Sequence, residues 1–298
     1  MATVTAHAPA RVPARVSRGI WRDALSRLMR NRPAMVGLLI IGIFVAVAVL
    51  APLLAPYDPM ASNLATLRFK PPDAAHLLGT DGQGRDMLSR VIYGARISLI
   101  VGVMSVVMGV SMGGAIGATA GAFGGRVDTV LMRIVDVLLA IPGILLAIGV
   151  VVWLDRGLPQ IMFAVALTNV PIFARILRGS LLALQGSDYV IAARSVGATT
   201  PRILFRHMLP NAVTPLIVAA TLALATAIID VAGLGFLGLG PADPRIAEWG
   251  TMLTGATSFY RQAPWIIFWT GAAISITAIG FNLLGDGLRE SLDPRLRQ

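Results

Sequence analysis

ISLIVGVMSVVMGVSMGGAIGATAGAFGG, running from Ile97 to Gly125, is 29 residues without one charged side chain. As a helix it would reach about 43 Å, more than the ~30 Å hydrocarbon core of a bilayer. Arg96 and Arg126 bound it. Five further uncharged stretches follow the same pattern: Pro33–Tyr57, Val137–Leu154, Gly157–Ala174, Met208–Ile229 and Gln262–Gly285. Their lengths are 25, 18, 18, 22 and 24 residues, so the two shortest need flanking residues to cross. Composition agrees, with 56% of the 298 residues in AVILMFWYC, 13% charged and a mean hydropathy of +0.75. A soluble fold of this length would have too few charges to cover its surface. The reading is an all-α integral membrane protein with six transmembrane helices.

Charge sets the direction. With the N-terminus in the cytoplasm, 17 of the 25 Lys and Arg residues fall on inside segments and eight outside. That bias puts both termini inside. It also explains the net charge of +10 as membrane topology rather than nucleic-acid binding. The chain then divides into an Arg-rich cytoplasmic tail (1–33), a first transmembrane helix (34–56), an extracytoplasmic segment (57–96) and a five-helix core (97–298). The core contains a cytoplasmic loop at about 184–208. The apolar run after the tail has 25 residues, too long for a cleaved signal peptide. Residues 1–18, rich in Ala, Pro and Arg, suit an unstructured tail near anionic lipid.

Several patterns that resemble catalytic motifs fail in context. The absence of cysteine removes disulfides, Cys-based zinc sites, Cys nucleophiles and Cys-ligated clusters. Gly233, Gly235 and Gly238 spell GxGxxG, but a membrane helix precedes them and Pro241 follows, where a dinucleotide site needs strand, turn and helix. A closely packed, flexible loop is the expectation. Gly109, Ser111 and Gly113 spell GxSxG, yet none of the three histidines (His7, His76, His207) lies in a span to serve as base. Ser105, Gly109, Gly113, Gly117 and Gly121 recur every four residues instead, a stripe that lets another helix approach closely. The one lysine, Lys70, sits between Phe69 and Pro71, so the chain has no P-loop. Arg133 and Asp136, three apart, are expected to pair, and Pro142 to kink the third span. No internal repeat points to an inverted-repeat transporter.

The loop between the fourth and fifth spans is longer than a connector needs. Asp188 can cap a short helix, Ala192, Ala193 and Val196 give it a small smooth face, Arg194 gives it charge, and Gly197 can end it. Pro201 can open a second helix. Physically this is a helix–turn–helix on the cytoplasmic surface, either a docking surface or a solvated connector.

Ala192-Ala193, Gly197 and Leu209-Pro210 carry a resemblance. With three residues between Ala193 and Gly197, and eleven between Gly197 and Leu209, they match the "EAA" loop of bacterial ABC importer permeases. Ile191 stands where that loop usually has Glu. Gly79-Thr80-Asp81, Gly84-Arg85-Asp86, Ser89-Arg90 and Gly94-Ala95-Arg96 resemble the GTDxxGRDxxSRxxxGxR signature of peptide-importer permeases. Met132–Asp136, Gly235–Gly240, Trp249-Gly250, Asn282–Arg289 and Leu292-Asp293-Pro294 also match. The order resembles the "C" permease subunit of dipeptide/oligopeptide importers.

The resemblance implies a type I permease fold, a bacterial inner-membrane location and no catalysis. It also implies a homologous second permease, two ATP-binding subunits that hold ATP and Mg, an extracytoplasmic substrate-binding protein and a peptide substrate. Tyr189, Ala192, Ala193, Arg194, Gly197 and Ala198 would then couple to an ATPase. Asp230, at the outer end of the fifth span, would either bind a peptide ammonium group or hydrogen-bond the glycine loop. Nickel-chelate and glutathione permeases share these motifs. A stand-alone secondary transporter is the rival from another class, and a membrane enzyme lacks any base–nucleophile set.

Overall fold

The computed structural model describes residues 25–243 and 245–292. Most of the Arg-rich tail and the Asp293-Pro294 end of the last motif lie outside them. Among the described residues the chain is helical and forms no strand, with one isolated bridge between Thr80 and Asp86. Five helices are long and apolar enough to cross a membrane, and a bent pair supplies a sixth candidate.

Helix α1 (Arg32–Val49) starts at an Asn31 cap, whose Oδ1 accepts the Ala34 N–H at 3.1 Å. A short turn, Ala51–Leu54, extends it past a break at Leu50, where Pro52 cannot continue the ladder. Helix α2 (Met87–Phe123) begins ten residues before the expected span. Arg90 and Arg96 look like solvent-side charges in the sequence, but the Arg90 side chain is buried in the outer cap. Gly124 and Gly125, with φ of +61° and +54°, turn the chain sharply.

The third expected span is not one helix. α3 (Gly125–Ala140) and α4 (Gly143–Leu154) meet at Ile141–Pro142 with a bend of 94°. α4 alone has 12 residues, about 18 Å, short of the hydrocarbon core. α5 (Leu158–Leu184) then crosses back. After the inner loop with α6 (Asp188–Ser195), the helical path runs from Thr200 to Leu239 without a full stop. A π turn at Leu204–Met208 leads into α7 (Leu209–Leu234) and absorbs Pro210, which has no N–H to donate. α8 (Trp249–Ala256) and α9 (Pro264–Leu292) complete the chain.

The α2–α5 pair is the largest helix interface. Ser105, Gly109, Gly113, Gly117 and Gly121 are all buried on the α2 face that meets it. A Cβ on Gly113 would lie 2.5 Å from Val170 O, and one on Gly117 would collide with Ala174 O. Ser111 lies off this face, exposed, and donates to Val107 O at 2.7 Å. On the other side α1 packs into α9, where a Cβ on Gly37 would lie 2.6 Å from Gly280 O. Asn31 Nδ2 donates to Glu290 Oε2 at 2.7 Å, so the start of α1 and the end of α9 sit at the same end of the bundle.

Candidate functional site

At the inner loop, Ser187, not Asp188, takes the N-cap position of α6, and its Oγ donates back to Leu184 O at 2.6 Å. The helix closes by two bonds: Gly197 N–H to Arg194 O at 2.9 Å and Ala198 N–H to Ala193 O at 3.1 Å. This Schellman pattern needs a left-handed residue at Gly197, and its φ is +79°. A Cβ there would meet nothing within 4 Å, so conformation rather than close packing demands glycine.

Val190 and Ala193 point into the core with Ile203 and Leu204, which fixes α6 to the bundle. Ala193 therefore does not share an outward face with Ala192 and Val196; at 100° per residue it turns inward. Tyr189, Ile191, Ala192, Arg194 and Val196 face out, Val196 being 84% exposed. A depression of about 490 Å³ opens here, lined by Tyr189, Ala192, Val196, Gly197, Ala198 and the edge of the otherwise buried Ala193, with Arg202 and His207 at its basic edge. The arrangement is a rigid apolar knob beside a shallow basic hollow.

The outer cap is built from the GTDxxGRDxxSR residues. Asp81 accepts from Arg85 Nε at 2.7 Å and lies 3.5 Å from Arg90 Nε. Arg90 also donates to Pro59 O at 3.2 Å and Arg245 O at 3.3 Å. Asp86 caps α2 through the Ser89 N–H at 2.8 Å and bonds His76 Nδ1 at 2.9 Å. Trp265 Nε1 donates to Thr80 O at 3.1 Å, tying the cap to α9. These polar residues hold the segment between α1 and α2 on the bundle.

The glycine run is not a flexible loop. It continues α7 as a π turn, Gly235–Leu239, which kinks at Gly238, where φ is +79°. The helix before it, in place of a strand, disposes of the dinucleotide reading. Glu248 anchors this region, and nothing in the sequence reading singled it out. Fully buried, it accepts from Gly250 and Thr251 N–H, each at 2.8 Å, to cap α8. Thr254 Oγ1 donates to Gly235 O at 2.7 Å. A Cβ on Gly235 would lie 2.5 Å from Glu248 Oε2, so the close approach requires glycine. Burial pushes the Glu248 carboxyl above the ordinary glutamate range, against the pull of its amide and hydroxyl donors.

Asp230 lies in α7, half-buried, and makes no hydrogen bond or ion pair with any described residue. The carboxylate that fixes the glycine turn is Glu248, not Asp230. The expected Arg133–Asp136 pair is also replaced: Asp136 accepts from Arg175 Nη2 at 2.6 Å, because the i,i+3 neighbour is less well placed than an arginine of the crossing helix. Asp128 takes Arg178 in a two-pronged contact at 2.5 and 2.6 Å. Only the distance between these partners in sequence hid them.

The sequence profile of the binding-protein-dependent transport system inner membrane components matches residues 113–298. That of the N-terminal TM domain of oligopeptide transport permease C matches 19–72. The chain is 43% identical to the dipeptide transport system permease protein DppC of Alkalihalophilus pseudofirmus, over 93% of this chain and 90% of that protein. It is 42% identical to the oligopeptide transport system permease protein OppC of Bacillus subtilis, over 95% and 92%. In fold it is similar to a chain of the inward-facing MetNI methionine ABC transporter, with a TM-score of 0.57 at 20% identity, over 70% of this chain and 98% of that one. A membrane-spanning bundle with this inner loop and outer cap, matched along nearly its whole length, belongs to the binding-protein-dependent ABC importer permeases.

Proposed function

We propose that this chain is one permease subunit of an ATP-driven importer of di- or oligopeptides in a bacterial inner membrane, with both termini cytoplasmic. It works beside a homologous second permease, above two ATP-binding subunits that hold ATP and Mg, and receives peptide from an extracytoplasmic binding protein. The chain lines half of the pathway and transmits force. The peptide class is supported by the relatives matched along more than nine-tenths of this chain.

The observation that carries the coupling role is α6: a helix pinned from behind by Val190 and Ala193 and bare in front at Ala192 and Val196. A pinned element transmits displacement, whereas a solvated connector would absorb it. Tyr189, Arg194, Gly197 and Ala198 complete its edge. The test is Ala192→Trp, which adds bulk only to the bare face. With membrane insertion normal, ATPase association weakens by roughly five- to 150-fold, the equivalent of about 1–3 kcal/mol of overpacking. Normal ATPase co-purification and normal uptake would contradict the coupling role.

Asp230, without a partner among the described residues, is the group we assign to the ammonium end of the peptide. Asp230→Asn then lowers uptake of free-amine peptides and spares N-acetylated ones. Equal uptake of both by the variant and the wild type removes that role.

A further inference from the structure

α3 carries an apolar stripe that no described element covers. Val127, Val130, Ile134 and Val137, with Ile141 at the cap that ends the helix, recur at spacings of three and four, and all are exposed. The opposite side holds the fully buried Val135 and the two carboxylates that reach α5. Those pairs fix how α3 runs. Asp128 and Asp136 are eight residues apart, about 12 Å along α3, while Arg178 and Arg175 are three apart, about 4.5 Å along α5. The shorter offset on α5 is the sense expected where α3 runs across α5 rather than along it, the long arginine side chains spanning the remainder. α3 also stands at 94° to α4, the helix that follows it.

The depth of the crossing follows from α5. Its uncharged stretch ends at Ala174, and Arg175 and Arg178 are where α3 attaches, about 26–30 Å along the helix from Leu158. That is the thickness of the hydrocarbon core. Charge supplies the last observation. Asp128 and Asp136 are each neutralised by an α5 arginine. Arg126 and Arg133, seven apart and flanking the stripe, enter no ion pair among the described residues.

We infer that α3 lies in the plane of the inner membrane surface, its stripe in the acyl-chain boundary and Arg126 and Arg133 on anionic lipid phosphates. An amphipathic helix with arginines bordering its apolar face is suited to that boundary, where the long side chains reach the headgroups. α4, about 18 Å long, then rises from an interfacial helix and completes the third crossing only with the residues on either side of it.

The chain has no cysteine, so single cysteines can be placed cleanly. Nitroxide labels on Val130→Cys, Ile134→Cys, Val137→Cys and Thr129→Cys are read in the full chain with its co-purifying partners. The membrane is phosphatidylethanolamine with phosphatidylglycerol. Oxygen should collide with the first three labels more often than a water-soluble nickel chelate does, with the order reversed at Thr129. Greater access for the chelate at the stripe overturns the inference in favour of water. Exclusion of both quenchers overturns it in favour of a protein cover such as the second permease. Adding Arg126→Gln and Arg133→Gln should lower the oxygen-to-chelate ratio at Ile134→Cys at least twofold; an unchanged ratio removes the anionic-lipid contact.

Discussion

At the scale of single residues, two positions of the same protein require glycine for opposite reasons. Gly117 sits where a methyl group would collide with Ala174 O, while Gly197 has open space but a φ of +79°. Gly117→Ala gains about 1 kcal/mol of helix propensity and loses about 1–3 kcal/mol to overpacking. It should therefore lower the unfolding midpoint, whereas Gly114→Ala, whose Cβ would meet nothing closer than 3.8 Å, should not. Gly197→Val should destabilise the inner loop by about 1–2 kcal/mol and Gly197→Asn by less, since Asn tolerates the left-handed region. Proteolysis of that loop in membranes reads both. The four-residue glycine spacing made the first role legible in the sequence, and the place of Gly197 at the end of a short helix pattern made the second so. Glu248 was not legible at all, because its partners are amides made available only by the turn into α8. Glu248→Ala leaves buried N–H groups of Gly250 and Thr251 unmet and should cost about 1–3 kcal/mol. Its folded pKa is raised, so the folded state holds the proton more tightly than the unfolded chain does. Stability linked to this group is therefore full below its ordinary value of 4.5 and declines as pH rises through the raised one. The advantage of wild type over Glu248→Ala should shrink across that window in thermal melts; a constant or growing advantage contradicts the assignment.

At the scale of elements, the spans were readable because apolar length is fixed by bilayer thickness. Their ends were not, because charge was taken as the boundary. Arg90 is charged yet buried within α2, so α2 starts at Met87 rather than Ile97. The path from Thr200 to Leu239 passes Pro201 and Pro210 because a π turn and the helix starts absorb the missing donors, and it carries Pro215 inside α7. Pro142 does the reverse, ending one helix and opening another at 94°. The inner helix shows the same division. Its limits followed from Gly197, but its rotation did not, and rotation decides that Ala193 faces the core. Ala193→Trp should thus collapse the loop and lower the amount of folded protein in the membrane. Ala192→Trp should leave that amount unchanged and weaken only ATPase association. Equal behaviour of the two in membrane yield and in ATPase co-purification would contradict the observed rotation of α6.

At the scale of the whole molecule, the bundle joins a braced outer cap to a pinned inner helix through tightly packed membrane helices. Reporter fusions should place both termini in the cytoplasm and an insertion at Ser62 outside; an external C-terminus would contradict the six-span path. The family was legible because its motifs lie at turns and caps, where geometry restricts the residue. Substrate was not, since selectivity rests on a few side chains whose role no motif spacing marks. The most direct test of the account is uptake of a labelled dipeptide into proteoliposomes containing the chain, its second permease, the ATPases and the binding protein. The account predicts accumulation that requires ATP and the binding protein and disappears when the ATPases are omitted. Accumulation by the permease alone, driven by an ion gradient without ATP, would contradict it.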